Sequence, residues 1–489
     1  MKNLKRICAL CLVLVFCFTL TACRKNPSDD GSSGYFSSFS SEDIVVSDVE
    51  SEVSSEDTAG EEAGILKNPT QSSQTTSTAP TESQDSILGY NPNANSSFDP
   101  YKGVEQYNGK TVKMLTWWSF SDDEQKRVDN FTSKYGIKVK TIKTDLANYQ
   151  TKLAGLITSG SSPDLCGLQA EYFPMVVIKN RIQPIDTSYW NIEEDVALDK
   201  TLMDQFSWGG KYYGVNIKGS MFSERAVIFY NKSMFQNKGI KTPYEEYIAG
   251  NWNWDTMRDA ATKLTNTAQG VYGFADRSYN AINWLLTNDT DLVLLNNDKI
   301  TNNLTAEKVK TSMGYISDMI ASGSVKTEAS IADFLSGNVA MFAAGSSYMW
   351  GTNTIATSMK SAWGVAPFPS PKGQKAIVAN EGTMWAFPTN AKNVGAANYF
   401  IRYFLDPSNL TKDPCANAEC TKVFSDISHT ESIRTCFSKG LISFNNADDF
   451  YAVVRCRLKS KNDIPVALQS YVKTVDEAIN SAMNELSGG

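Results

Sequence analysis

The segment TVKMLTWWSFSDDEQKRVDNFTSKYGIKVKTIK, residues 111–143, decides the fold of this chain. Residues 111–117 have the composition of a strand. Ser121 can then cap a helix over residues 122–134, because acidic side chains in its first turn complement the helix dipole. Gly136 ends the helix, and residues 137–142 alternate polar and apolar side chains as a second strand. The segment is therefore predicted to form a strand–helix–strand unit.

The next segment repeats this pattern. Residues 149–158 place their large apolar side chains on one helix face, and residues 163–168 read as a short buried strand. Strands that alternate with helices of this length predict an α/β fold with a mainly parallel sheet, covered on both faces. Ligands of such sheets lie beyond the carboxyl ends of the strands. The loops expected there carry Trp117, Trp118, Glu171 and Tyr172.

The N-terminus has the three-part layout of a secretory signal, residues 1–22. A basic start precedes the apolar run 7–20, which is too short to span a hydrocarbon core of ~30 Å. The junction Leu20-Thr21-Ala22-Cys23 resembles the lipobox of bacterial lipoproteins. That resemblance implies that Cys23 becomes the mature N-terminus and carries diacylglycerol. Two or more acyl chains would then anchor the protein stably at the outer face of the cell membrane. The alternative is an ordinary cleaved signal with an incidental cysteine.

The region that follows Cys23 is predicted to be a disordered tether, so that residues 23–105 form one unit with the lipidated cysteine. Residues 24–105 carry 15 acidic and 4 basic side chains among many Ser and Thr residues. Such a composition buries too little apolar area to offset chain entropy. Because the chain has a net charge of −7 and the signal carries three basic residues, residues 106–489 are left with a net charge of +1.

The remaining residues, 106–489, are too long for one hydrophobic core and predict two lobes. All ten tryptophans lie in this part of the chain. Its near-zero net charge, and the lack of a basic stripe, argue against a nucleic-acid partner.

Eight segments of this body, in order, resemble family 1 extracellular solute-binding proteins, the ABC-importer receptors that include maltose-binding protein. They are YGIKV at 135–139, ITSGSSPD at 157–164, GKYYGV at 210–215, IFYNKSMF at 228–235, WNWD at 252–255, FLSGNVAM at 334–341, WGVAPFP at 363–369 and AANYFI at 396–401. The resemblance implies a two-lobed periplasmic-binding-protein-like α/β fold, with a ligand cleft between the lobes and several hinge crossings. It implies an N-terminal lobe of residues 106–226 plus 331–378 and a C-terminal lobe of residues 231–330 plus 386–489.

The cleft residues follow from these expected strand ends and crossings. Beyond the two loops named above, Glu224 precedes the first crossing, and Tyr348 and Trp350 stand where the family has a "G-x-W" cleft element. Glu381 and Trp385 flank the last crossing, and Trp284 follows a turn-rich stretch of the second lobe, where core packing is an equal alternative.

An oligosaccharide is the expected solute. Flat aromatic rings bury the apolar face of a pyranose, and carboxylates and amides bond its hydroxyl groups. A phosphate would call for a Gly-rich loop with Lys or Arg, and an amino acid for an arginine such as Arg225 or Arg277. Peptides and other polyols stay open.

Catalysis, a metal site and cofactors are not expected. His429 is the only histidine, which leaves no His-rich metal site and little basis for a nucleophilic triad. A secreted glycoside hydrolase needs only two carboxylates and is the enzyme alternative. Four cysteines, Cys415, Cys420, Cys436 and Cys456, could form one or two disulfides, and their pairing stays open. Cys166 is expected to be a buried free thiol.

The sequence therefore predicts a monomeric, membrane-anchored solute-binding lipoprotein that serves ABC permease subunits. A ligand sensor and a surface carbohydrate-adhesion module are the alternatives from other classes.

Overall fold

The computed structural model of the chain describes residues 98–276, 281–327, 329–410, 412–438, 440–441 and 463–488. The signal, Cys23, most of the tether, Arg277 and Cys456 lie outside these residues. Within the described ranges, no helix is long and apolar enough to pass through a bilayer.

Sixteen strands lie in the described part of the chain. They are β1 Thr111–Thr116, β2 Lys138–Lys143, β3 Leu165–Gln169, β4 Ile182–Gln183, β5 Ser207–Trp208, β6 Lys211–Tyr212, β7 Ala226–Asn231, β8 Tyr272–Asp276, β9 Val293–Asn296, β10 Lys299–Asn302, β11 Val325–Thr327, β12 Val339–Gly345, β13 Trp363–Pro367, β14 Val378–Asn380, β15 Thr383–Pro388 and β16 Ile433–Thr435.

The α-helices of the same residues cover the faces of the sheets. They are α1 Asp122–Tyr135, α2 Tyr149–Thr158, α3 Met175–Ile178, α4 Lys200–Gln205, α5 Lys232–Lys238, α6 Pro243–Ile248, α7 Trp254–Leu264, α8 Ala281–Leu286, α9 Glu307–Ala321, α10 Ile331–Leu335, α11 Thr354–Ser358, α12 Val394–Leu405, α13 Ala418–Ser428 and α14 Ile464–Gly488.

The first sheet has the order β2-β1-β3-β15-β4. Strand β1 pairs in parallel with β2 and with β3, and β15 joins them antiparallel to β3. The predicted strand–helix–strand unit is confirmed. Ser121 forms a capping box with Glu124 at the start of α1, and Gly136 ends the helix with a φ of 68°. A left-handed residue of this kind is where glycine is favoured.

The second sheet has the order β11-β8-β12-β7-β13. Strand β12 pairs in parallel with β8, and β7 runs antiparallel to both β12 and β13. All six residues of β7 are buried, as expected for a strand with neighbours on both sides and helices on both faces. The α/β class and the two-lobed architecture predicted from the sequence are confirmed.

The strands beyond residue 330 join the two sheets differently from the expected division of lobes. Residues 331–378 were expected in the first lobe, yet β12 and β13 flank β7 in the second sheet. Residues 386–489 were expected in the second lobe, yet β15 joins β3, and Phe400 of α12 packs against Phe131 of α1. Short apolar strands carry no signal for which neighbour they pair with, so sequence alone placed these boundaries wrongly.

Candidate functional site

The edges of the two sheets that carry the carboxyl ends of their parallel strands meet where the chain passes between the lobes. Strand β3 ends at Gln169 and β12 ends at Gly345. Because β15 and β7 run antiparallel to them, these strands begin at the same edges. We call residues 224–226, 345–348 and 380–383, which join here, the crossing. Ligands of α/β sheets bind at such edges.

Glu224 is the central side chain of the crossing. Its Oε1 accepts a hydrogen bond of 2.8 Å from the backbone N–H of Ser347, and its backbone carbonyl accepts one of 3.0 Å from Glu381. Its Oε2 is buried and has no hydrogen-bond partner among the described residues. The pKa of Glu224 is raised to about 8, chiefly by burial and also by the nearby Glu381, and the hydrogen bonds from Ser347 oppose this rise. Glu224 therefore mostly holds its proton at neutral pH.

The position of Gly345 depends on Glu224. A Cβ added at Gly345 would overlap Glu224 Oε1 and lie 2.8 Å from its Cδ. The glycine is required here by this close approach, since its φ of −71° suits any residue.

The neighbouring Arg225 is bonded to the protein itself. Its fully buried guanidinium donates to Asn380 Oδ1 at 2.5 Å and to Asp199 Oδ2 at 3.4 Å. Burial raises the pKa of Asp199, and Arg225 opposes this shift. Arg225 thus holds the crossing together, and its buried setting does not suit it to bind the carboxylate of an amino-acid ligand.

Four predicted site residues keep partly exposed side chains beside the crossing. The backbone N–H of Ala170 donates to Gly382 O at 3.2 Å, which ties the loop after β3 to residues 380–383 of the crossing. The carboxylate of Glu381 accepts a hydrogen bond of 2.7 Å from Asn283 Nδ2. Tyr348 and Glu381 therefore belong to the crossing itself, and Glu171 and Tyr172 lie in the loop that Ala170 ties to it.

Three predicted tryptophans of the first lobe are largely buried. Trp118 donates from its Nε1 to Glu124 Oε1 at 3.1 Å and packs edge-on to Trp117 and Trp385. Trp385 has no exposed surface and is enclosed further by Phe222 and Phe404. The Trp385 ring is therefore part of the core in this conformation. Trp117 retains 8% exposure, and its indole N–H is buried without a hydrogen-bond partner among the described residues.

The second-lobe tryptophans also pack against the protein. Trp284 is 1% exposed, and the rings of Trp254, Tyr315 and Phe368 lie 4.6–5.8 Å from it. The core alternative therefore describes Trp284. Trp350 is 5% exposed and packs edge-on to Phe424.

Sequence reasoning missed Asn283, which precedes Trp284. Its side chain is buried, donates to Glu381, and has an Oδ1 without a hydrogen-bond partner among the described residues. An asparagine inside the apolar helix AINWLL was the available signal, because a buried amide needs a polar neighbour.

Cysteines and metal ligands do not form a centre in the described residues. Among the described residues, no disulfide joins Cys415, Cys420 and Cys436 to one another, and Cys166 is a buried free thiol as predicted. Burial raises the pKa of the Cys420 thiol to about 12. No group of three or more His, Cys, Asp or Glu residues in these ranges could hold a metal ion.

Two α/β lobes that meet at a polar crossing define a two-lobed binding protein. The chain matches the family model of bacterial extracellular solute-binding proteins over residues 126–413, more than half its length, and it belongs to that family.

A putative binding protein of Brucella abortus is 28% identical over 123 residues. The match spans 25% of this chain and only 27% of the length of that relative.

Solved structures share the fold over most of the chain. An ABC substrate-binding protein from Listeria monocytogenes, in complex with cycloalternan, is 17% identical with a TM-score of 0.54, covering 77% of this chain and 99% of its own. The sugar-binding protein MalE from Xanthomonas citri is 16% identical with a TM-score of 0.59, covering 76% and 98%. A protein from Mycobacterium tuberculosis in complex with glycerophosphocholine is 14% identical with a TM-score of 0.55, covering 76% and 99%.

Proposed function

We propose that this protein captures an oligosaccharide at the crossing and delivers it to the permease subunits of an ABC importer. In this proposal a lipid on Cys23 anchors the chain outside the membrane, the acidic tether holds the lobes clear of the surface, and the protein binds its solute without altering it. The observation that carries the proposal is the hydrogen bonding of two predicted solute-binding segments at the edge where both sheets end: Ala170, directly before Glu171, bonds Gly382, and Glu381 bonds Glu224.

The chemistry of the four partly exposed side chains favours a sugar. Tyr172 and Tyr348 offer ring faces for the C–H face of a pyranose, and Glu171 and Glu381 accept hydrogen bonds from its hydroxyls. Tyrosines supply the aromatic surface here, because Trp118 and Trp385, which the sequence favoured, are buried in the first lobe. Two of the structures with this fold hold or are named for sugars, which supports the same class of solute.

Capture is proposed to work by a shift between conformations. A solute that contacts both lobes only in the closed arrangement stabilises that arrangement. The residues at the crossing come from segments of both lobes, so one solute can contact both.

A thermal-shift screen of the whole purified chain tests the proposal. Oligosaccharides, peptides and simple polyols are compared at equal concentration, and a bound solute at 100 Kd adds ~2.7 kcal/mol to the free energy of unfolding. The proposal expects the largest rise with an oligosaccharide and no cleavage of it. A rise with peptides alone, or release of cleaved sugar, would contradict it.

Two tyrosine variants make the screen specific to the site. Tyr348→Ala should abolish most of the solute-induced rise, because it removes a half-buried ring at the crossing. Tyr244→Ala, which removes an equally half-buried ring from α6, should leave the rise unchanged.

A further inference from the structure

A short C-terminal segment contacts both lobes and the crossing at once. This segment, residues 433–438, begins with β16. Its last four residues, Thr435, Cys436, Phe437 and Ser438, are nearly or fully buried. We call this segment the clasp. Strand β16 pairs in parallel with β14, which ends at Asn380 in the crossing. Asn380 Nδ2 donates to Thr435 Oγ1 at 2.9 Å.

The clasp is bonded to the first lobe through Gln205 at the end of α4. Gln205 Nε2 donates to Ile433 O at 3.0 Å, and its Oε1 accepts from the backbone N–H of Thr435 at 2.8 Å. The Phe437 ring packs against the rings of Phe173 and Phe206, with centroids 5.8 and 6.4 Å away. One amide side chain therefore pairs with the clasp as a neighbouring strand would.

The clasp is bonded to the second lobe through two aspartates that follow α8. Arg434 pairs with Asp289. The fully buried Asp291 accepts from the backbone N–H groups of Phe437 and Ser438 at 2.8 and 3.2 Å, and from the Ser438 hydroxyl at 2.5 Å. The second lobe is the stronger anchor, because Asp291 alone accepts three hydrogen bonds from the clasp and Gln205 makes two.

The clasp also stands against a predicted solute-binding loop. A Cβ added at Gly440, just after the clasp, would overlap the backbone carbonyl oxygen of Glu171. Phe437 contacts Phe173, the residue that follows Tyr172. The conformation of the Glu171-Tyr172 loop is therefore fixed in part by this C-terminal segment.

We propose that the clasp is a positioning element that holds the two lobes in their relative orientation. It stays bonded to the second lobe through Asp291 and separates from the first lobe at Gln205 and Phe437 when the lobes move apart. It thereby sets how readily the lobes open and how the Glu171-Tyr172 loop meets a solute. The second part rests on the proposed function; the first does not.

The test uses the whole chain without any solute. Site-resolved hydrogen exchange reports the two anchors separately, since the Thr435 amide bonds the first lobe and the Phe437 and Ser438 amides bond the second. Gln205→Ala should raise the exchange rate of the Thr435 amide at least tenfold and leave those of Phe437 and Ser438 within about twofold. In the Gln205→Ala chain, energy transfer between dyes at the exposed Lys138 and Lys299, one in each lobe, should report a wider distribution of interlobe distances than in the parent chain.

A matched carboxylate variant separates positioning from general loss of stability. Asp164 is equally buried and accepts from the backbone N–H groups of Lys113, Lys392 and Asn393, all within the first lobe. Asp291→Asn should widen the distance distribution between the lobes, and Asp164→Asn should lower the melting temperature without doing so.

Two results would overturn the inference. One is a Gln205→Ala chain whose Thr435 exchange and interlobe distance equal those of the parent. The other is an Asp164→Asn chain that opens as far as the Gln205→Ala chain. Because neither readout involves a solute, failure of the proposed sugar binding would leave this outcome unaffected.

Discussion

Glu224 shows how a single buried carboxyl reports on the crossing. Its pKa is raised to about 8, mainly by burial, against about 4.3 for an unfolded glutamate. Between these pH values the folded state holds a proton that the unfolded state has lost. The contribution of Glu224 to stability is therefore fully present below about pH 4.3 and is lost as the pH rises toward 8.

The Glu224→Gln variant tests this sign. The glutamine keeps the acceptor for Ser347 N–H and cannot ionise. Relative to the variant, the parent chain should lose about 1.4 kcal/mol per pH unit between pH 5 and pH 7, and less per unit as the pH approaches 8. Chemical denaturation of both proteins across this range measures the difference. Parallel stability curves would contradict the buried, raised-pKa state of Glu224.

Gly345 gives a second prediction at this scale. Gly345→Ala should destabilise the chain by about 1–3 kcal/mol, because the new methyl group overlaps the buried Glu224 carboxyl. Gly351→Ala is the matched control, since its nearest neighbour, Ala416 Cα, lies 3.7 Å from the added Cβ. Urea unfolding of the two variants should show a loss for the first and little change for the second. Equal effects would mean that Glu224 does not occupy the space beside Gly345.

Residue identity predicted the place of the site better than the role of each side chain. Glu224, Tyr348 and Glu381 lie beside strand ends at the crossing, where they were expected, and their contact with solute stays a prediction. Trp385 was expected to contact solute and is enclosed by protein, and of the two alternatives for Trp284 the core one describes it, because burial depends on long-range packing that no local pattern encodes. Asn283 was not predicted, although an asparagine within the apolar helix AINWLL gave a local signal for a polar partner.

At the scale of elements, the capping box of α1 does more than start a helix. Ser121 N–H donates to Glu124 Oε2 at 2.6 Å, and Glu124 Oε1 accepts from Trp118 at 3.1 Å. The cap thereby fixes the tryptophan that follows β1.

Ser121→Ala should lower stability by about 1 kcal/mol, the usual loss for such a cap. Ser133→Ala, at an exposed position of the same helix, should be neutral or slightly stabilising because alanine favours a helix. Urea unfolding followed by circular dichroism measures both. A neutral Ser121→Ala would show that the capping box does not stabilise α1.

An element could be predicted where the residues that determine it lie within it or beside it in sequence. Helix α2 was predicted over the residues it occupies, since its apolar spacing and its Gly160 stop lie within the helix and its flank. The pairing of β12 and β13 with β7 was not predicted, because these strands choose their neighbours through contacts more than 100 residues away in sequence.

At the scale of the whole molecule, the protein has two lobes, each built on one sheet, and the crossing and the clasp connect them. The crossing joins the lobes covalently, and the clasp joins them by hydrogen bonds and aromatic packing. The family of bacterial extracellular solute-binding proteins fits this architecture. The pairing of strands adds the place where the two sheets meet, and we propose this shared edge as the solute site.

The most direct measurement of solute capture is the distance between the lobes with and without a sugar. The whole chain, with dyes at Lys138 and Lys299, is titrated with the oligosaccharide that gives the largest thermal shift. We expect one narrow distance distribution to replace the broader solute-free one, and half of this change to occur at a sugar concentration equal to Kd. The Tyr348→Ala chain should need a far higher sugar concentration for the same change. Saturated binding that leaves the distribution unchanged would contradict capture between two moving lobes.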